Sequence, residues 1–146
     1  MGLLRDDARR TQKEIAGEVG LSQPSVADRI RKLEEAGVVL GYHARIDPRM
    51  LGDDITAFIG VGIEHPKYFD SFARKVSTIS AVLECHRVAG ADSYLLKVRC
   101  QNTSALDSLL VETLRTIPGV TRTQTTIVLA STKEDGQVRS NAGGDR

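Results

Sequence analysis

The chain has 146 residues, 40% hydrophobic and 27% charged, and a net charge of +1, the composition of one or two small globular domains. So even a balance gives no sign of a bulk polyanion binder, and any nucleic-acid contact has to rest on where Arg and Lys are placed. No apolar run approaches the ~20 residues that span a bilayer, and "MGLLRDDARR" lacks the apolar stretch of a secretory signal, so a cytoplasmic protein with no membrane partner is expected.

The first forty residues carry helical periodicity. After the short "LLRDDA", Thr11 and Glu14 have the spacing of a capping box. Ile15, Ala16 and Val19 then form one apolar face. Gly20 suits a sharp turn, Leu21 anchors it, and Ser22 caps a second helix with Pro24 in its first turn. Val26, Ile30 and Leu33 form the buried stripe of that helix. Two helices joined by a short Gly-containing turn match a helix-turn-helix. "VLGYHARIDPRMLGDD" reads as an extended connector, with the domain boundary near Gly52.

From Ile55 the period changes to two: Ile55, Ala57, Ile59, Val61 and Ile63 share a face. "YFDSFARKVSTI" is a helix with Phe69, Phe72, Val76 and Ile79 inward. "AVLECHRVAG" and "SYLLKVRC" are strands joined by a tight turn at "GADS". "TSALDSLLVETLRTI" is a helix with Thr103 or Ser104 as N-cap and Leu106, Leu109, Leu110, Thr113 and Leu114 buried. Pro118 and Gly119 stop it, and "VTRTQTTIVLAS" is the last strand. The order is β-α-β-β-α-β, the ferredoxin-like pattern. The strands carry apolar residues on both faces, as Leu95 beside Leu96 and Phe58 beside Ile59 illustrate. Two helices cover one face, so a second copy of the sheet is expected on the other, making a homodimer. The predicted class is therefore α+β. A helix-turn-helix domain with connector occupies residues 1–52, a βαββαβ domain residues 53–133, and a polar, disordered tail residues 134–146.

Cys85 and Cys100 lie in apolar strand-like runs and read as small reduced thiols; His43, His65 and His86 are scattered, and no metal site is expected. The chain offers no Ser/His/Asp set at meaningful spacing, no GxxxxGK[ST] loop and no paired carboxylates, so an enzyme is not expected. The second helix carries the chemistry instead. Ser22, Gln23, Pro24, Ser25, Asp28, Arg29, Arg31 and Lys32 lie outside its buried stripe. A helix fits the major groove of double-stranded DNA; Gln pairs with adenine, Arg with guanine, and Asp accepts from cytosine. Ser22 suits a phosphate, and Arg29, Arg31 and Lys32 supply positive charge.

The stretch "TQKEIAGEVGLSQPSVADRIRKLEEAGVVLGYHARIDPRMLG" resembles the DNA-binding half of the Lrp/AsnC feast-or-famine regulators, with Arg29, Leu33, Glu34, Gly37, Gly41, Tyr42 and Pro48 in that family's pattern. "VLECHRVAGADSYLLKV" and "PGVTRTQTTIVL" resemble its effector-binding and oligomerisation domain. The resemblance implies a winged-helix-like unit followed by a ferredoxin-like one. It implies a transcription regulator whose dimers assemble further, to octamers, and a small effector, an amino acid, bound where dimers meet; no other cofactor is implied. Two departures stand out. The first helix is cut to "LLRDDA", leaving Leu3, Leu4 and Ala8 as cover. In the effector turn, Gly90, Ala91, Asp92, Ser93 and Tyr94 place Ser where the family has an acid, and an acid one position earlier. A zwitterion fits this turn: the N–H groups of Gly90 and Ala91 for its carboxylate, Asp92 for its ammonium group, and Gln124 and Thr126 from a neighbouring subunit. A second reading, an amino-acid-sensing regulatory subunit of an enzyme, shares the fold but leaves the helix-turn-helix without a purpose.

Overall fold

The computed structural model describes residues 1–134. They fall into two units, Met1–Arg45 and Ile46–Glu134, each with its own apolar core. Pro48–Leu51 forms a 3₁₀ turn, capped by Asp47 and closed by Gly52.

The first unit holds helices α1 (Gly2–Asp6), α2 (Gln12–Val19) and α3 (Gln23–Glu35). Thr11 and Glu14 form a reciprocal capping box: the Thr11 hydroxyl accepts the Glu14 N–H, and the Glu14 carboxylate accepts the Thr11 N–H at 2.7 Å. Gly20, at φ 67°, ends α2 in the left-handed region and turns the chain into Ser22, whose hydroxyl accepts the Ser25 N–H. Ile15, Ala16 and Val26 are buried, with Leu3, Leu4, Leu21 and Ile30 packed against them. Four positions expected to be covered differ, Ile30 among them, which is half-buried. Val19 is 48% exposed, because it ends α2 just where Gly20 swings the chain away. Leu33 is only half-buried, and Ala8 is exposed, since five residues of α1 cover little of α2 and α3. The Tyr42 hydroxyl donates to Glu34 at 2.9 Å, holding the start of the connector against α3.

The second unit is a four-stranded antiparallel sheet in the order β2-β3-β1-β4, formed by β1 (Ile55–Ile63), β2 (Val82–Arg87), β3 (Tyr94–Cys100) and β4 (Val120–Ile127). Helix α4 (Phe69–Ser77) follows β1 and α5 (Thr103–Ser108) follows β3, which completes the βαββαβ order. The last turns before β4 are a π-helical segment, Leu109–Thr113, and a 3₁₀ turn, Leu114–Thr116. Asn102, rather than Thr103 or Ser104, caps α5: its side-chain oxygen accepts the Ala105 N–H at 2.9 Å. Asn is a stronger cap than Thr, and the helix starts one residue earlier for it. Alternate residues of β1 and β3 meet the helices, so Ala57, Ile59, Val61, Leu96 and Val98 are fully buried together with Phe72 and Leu114. Each such large side chain contributes roughly 1.5–3 kcal/mol by leaving water.

Among the described residues of this unit, no helix lies on the other face of the sheet. It carries Thr56, Phe58, Gly60 and Gly62 from β1; Leu95, Lys97 and Arg99 from β3; and Arg122, Gln124 and Thr126 from β4. Phe58 and Leu95, each 38% exposed, make a small apolar centre within a polar surround. Glu134 pairs with Lys97 at 2.8 Å and Arg99 at 3.0 Å on that face. The rest of the expected disordered tail lies outside the described residues.

Candidate nucleic-acid interface and effector loop

Helix α3 presents its expected contacts as the caps dictate. Gln23, Pro24, Ser25 and Arg29 are exposed in and after its first turn. The Ser22 and Ser25 hydroxyls share a 2.8 Å hydrogen bond. Arg29, among the described residues, makes no ion pair. Arg31 and Lys32 carry ion pairs of their own. Both are exposed, yet both are held by Asp28: Arg31 Nη2 to Oδ1 at 2.7 Å and Lys32 Nζ to Oδ2 at 2.8 Å. The other terminal nitrogen of Arg31 meets Glu35 at 2.6 Å. The hydrogen bonds from Lys32 and then Arg31 hold the Asp28 carboxyl below the usual carboxylate range. The i, i+3 and i, i+4 spacing of these residues is the sequence signal for such pairs.

In the second unit, residues 88–93 join β2 to β3. This is a six-residue loop closed by the Val88 N–H on the Ser93 carbonyl at 3.1 Å, wider than the tight turn expected at "GADS". Gly90 and Ala91 are exposed at its tip. A side chain at Gly90 would meet open space, so glycine there leaves room only for something approaching from outside. Ser93 is structural: its N–H donates to the Val61 carbonyl at 2.9 Å, and its hydroxyl accepts the Ile63 N–H at 3.2 Å. Tyr94 turns to the helix face, packs edge-on against Phe69 and beside Phe72, and is buried. Burial pushes its hydroxyl pKa up. Tyr94 is thus apart from the other expected effector residues.

Asp92 folds back over β1 instead of pointing outward. Its carboxylate lies against Gly60 and takes a 2.9 Å bond from Arg122 Nη2, a nitrogen that also donates to the Ala91 carbonyl. Gln124 is the Cα partner of Gly60 and Thr126 that of Phe58, so both lie on this open face with Arg122. The structure therefore brings Asp92, Gln124 and Thr126 to one face and adds Arg122, Gly60 and Gly62, which sequence reading missed. A strand glycine two residues from another, each facing a long or charged neighbour, is the signal that was available. Cys85 and Cys100 are free thiols, one half-buried and one buried, and desolvation raises the pKa of both. Among the described residues no His/Cys/Asp/Glu group has metal-site geometry, and no helix is long and apolar enough to cross a membrane.

Comparison with known proteins agrees with both units. Residues 56–138 match the Lrp/AsnC ligand binding domain, and residues 1–39 match a winged helix-turn-helix DNA-binding domain. The leucine-responsive regulatory protein of Escherichia coli is 34% identical over 137 residues, covering 92% of this chain and 84% of that protein. Among solved structures, Escherichia coli AsnC superposes with a TM-score of 0.85 at 29% identity, covering 92% of this chain and 90% of the other. A feast or famine regulatory protein from M. tuberculosis, complexed with L-methionine, gives 0.84 at 39% identity with the same coverage. With these matches spanning both units, the chain belongs to the Lrp/AsnC family of DNA-binding transcription regulators.

Proposed function

We propose that α3 docks in the major groove, with Ser22, Gln23, Pro24, Ser25, Asp28, Arg29, Arg31 and Lys32 as its contact set. In this reading residues 1–52 bind DNA, and residues 53–133 sense an amino acid and assemble the protein. The uncovered sheet face, with Phe58 and Leu95 at its centre, supports a homodimer. Dimers then associate into a higher oligomer, an octamer, in the cytoplasm. The effector loop at residues 90–93, with Gln124 and Thr126, is the place where an amino acid enters, and Tyr94 on the opposite face supports it from the core. The L-methionine complex of the M. tuberculosis relative supports that ligand class.

The observation that carries this reading is α3 itself. Its first turn is capped and exposed, and polar side chains suited to base edges stand where a helix tip reaches the groove. The test has two arms. A selection from random duplexes is expected to enrich one sequence. A thermal-shift screen of the twenty amino acids is expected to stabilise the protein with a few of them. Loss of DNA selection would return the chain to the role of a non-DNA-binding sensor, and twenty flat thermal shifts would remove the amino acid.

A further inference from the structure

The outward face of α3 contains an internal competitor for its own cations. Asp28 uses both carboxylate oxygens, one on Arg31 and one on Lys32. Glu35 takes the remaining terminal nitrogen of Arg31. Within this network two acids balance two bases, so its own field at a distance is weak. Arg29 stands outside the network.

We propose that Asp28 is a specificity-determining residue that suppresses binding to unselected DNA by holding Arg31 and Lys32 away from phosphates. The inference rests on the reading that α3 enters the groove. A phosphate must compete with Asp28 for each cation. When it wins, Asp28 is left as a bare carboxylate facing the negative potential of the duplex. An amino group on a base edge, cytosine N4 above all, relieves that penalty by donating to the carboxylate. A site with cytosine at that position keeps the phosphate contacts and satisfies the acid. A sequence that offers no amino group there takes the contacts and leaves the acid unsatisfied. Asp28 therefore acts less by attracting its site than by rejecting the rest, which is how discrimination arises from a difference of two affinities.

The experiment measures Kd for the selected duplex and for a scrambled duplex of equal length, across a series of KCl concentrations. It compares the parent, Asp28→Asn and Glu35→Gln. Asn keeps the shape of Asp28 and removes the charge that holds both cations. Asp28→Asn is expected to tighten binding to the scrambled duplex about tenfold near 0.1 M salt and to steepen the log–log salt slope by about one to two units, as one or two freed cations meet phosphate. The selected duplex gains less, so the preference falls. Glu35→Gln leaves Asp28 in place and is expected to keep most of the preference. In an Arg31→Gln, Lys32→Gln background, Asp28→Asn should no longer steepen the slope. Three results overturn the inference: an Asp28→Asn variant with the parent's slope and preference, equal gains on both duplexes, or a Glu35→Gln variant that loses preference as strongly. A parent that binds no duplex overturns the DNA-binding reading and this inference together, whereas a selective parent matched by Asp28→Asn overturns the inference alone.

Discussion

Gly60 sits mid-strand in β1, between Leu95 of β3 and Gln124 of β4, and the Asp92 carboxyl rests on it. A Cβ there would lie 2.8 Å from Asp92 Cγ and closer still to Oδ2. Ser93, bonded to Val61 and Ile63, holds the backbone there, so the Asp92 carboxylate can turn aside only by leaving Arg122, which grips both Asp92 and Ala91. Gly60→Ala must therefore evict the carboxylate and part the Asp92–Arg122 pair. Overfilling a packed spot costs about 1–3 kcal/mol. The pair adds at most about 1 kcal/mol, since Arg122 is half exposed to solvent. Replacing glycine inside a strand returns about 0.5–1 kcal/mol. The net is a loss of about 1–2 kcal/mol. In an Asp92→Ala background the obstacle is gone, and the same substitution is expected to stabilise by about 0.5 kcal/mol. Urea melts of the four proteins, at one protein concentration so that assembly does not shift the midpoint, give the coupling directly. Additivity within about 0.5 kcal/mol would show that Asp92 does not occupy the seat on Gly60.

Two further outcomes are expected. Glu14 has its pKa lowered chiefly by the Thr11 backbone N–H and then by the Thr11 hydroxyl, so its capping contribution is complete above the ordinary glutamate value of about 4.3 and is lost as pH falls through the lower folded value. Amide exchange in α2 should accelerate in that acid window in the parent, while Glu14→Gln should show no such step; a parent as flat as the variant would remove the charged capping box. Cys100 is buried and both thiols have raised pKa values, so at neutral pH alkylation in the folded protein should be slow and become fast only in denaturant. Stoichiometric labelling of the native chain within minutes would contradict that packing.

What could be read from the sequence was whatever repeats locally. Ile55, Ala57, Ile59 and Val61 declared a strand by alternation, and all but the half-buried Ile55 are buried. Thr11, Glu14, Gly20 and Ser22 marked the helix-turn-helix because capping is a matter of neighbours three residues apart. What the spacing leaves out comes from longer reach or from competition. Asp92 meets Arg122 thirty positions away, and nothing in the spacing announces it. The type of Arg31 and Lys32 suits DNA, and type alone does not announce that Asp28 one turn earlier also pairs with them. Tyr94 adjoins the effector loop in sequence, but the pleat of β3 sends it to the opposite face from Leu95.

The π-helical segment Leu109–Thr113 has a consequence for the length of the chain. Leu109 and Leu114 are both buried although five residues apart. In a regular α-helix that separation is a rotation of about 140°, and one of the two would face water. The widened turn absorbs the extra residue and lets both reach the sheet. Substitutions at the exposed Val111 change little, and deleting a single residue here would restore ordinary helical winding with Leu109 and Leu114 four positions apart, about 40° from each other and still facing the sheet. The stretch before β4 is thus free in its letters and tolerant of one residue fewer, so relatives that pack their sheet in this way can differ here by a single-residue gap that leaves the core intact.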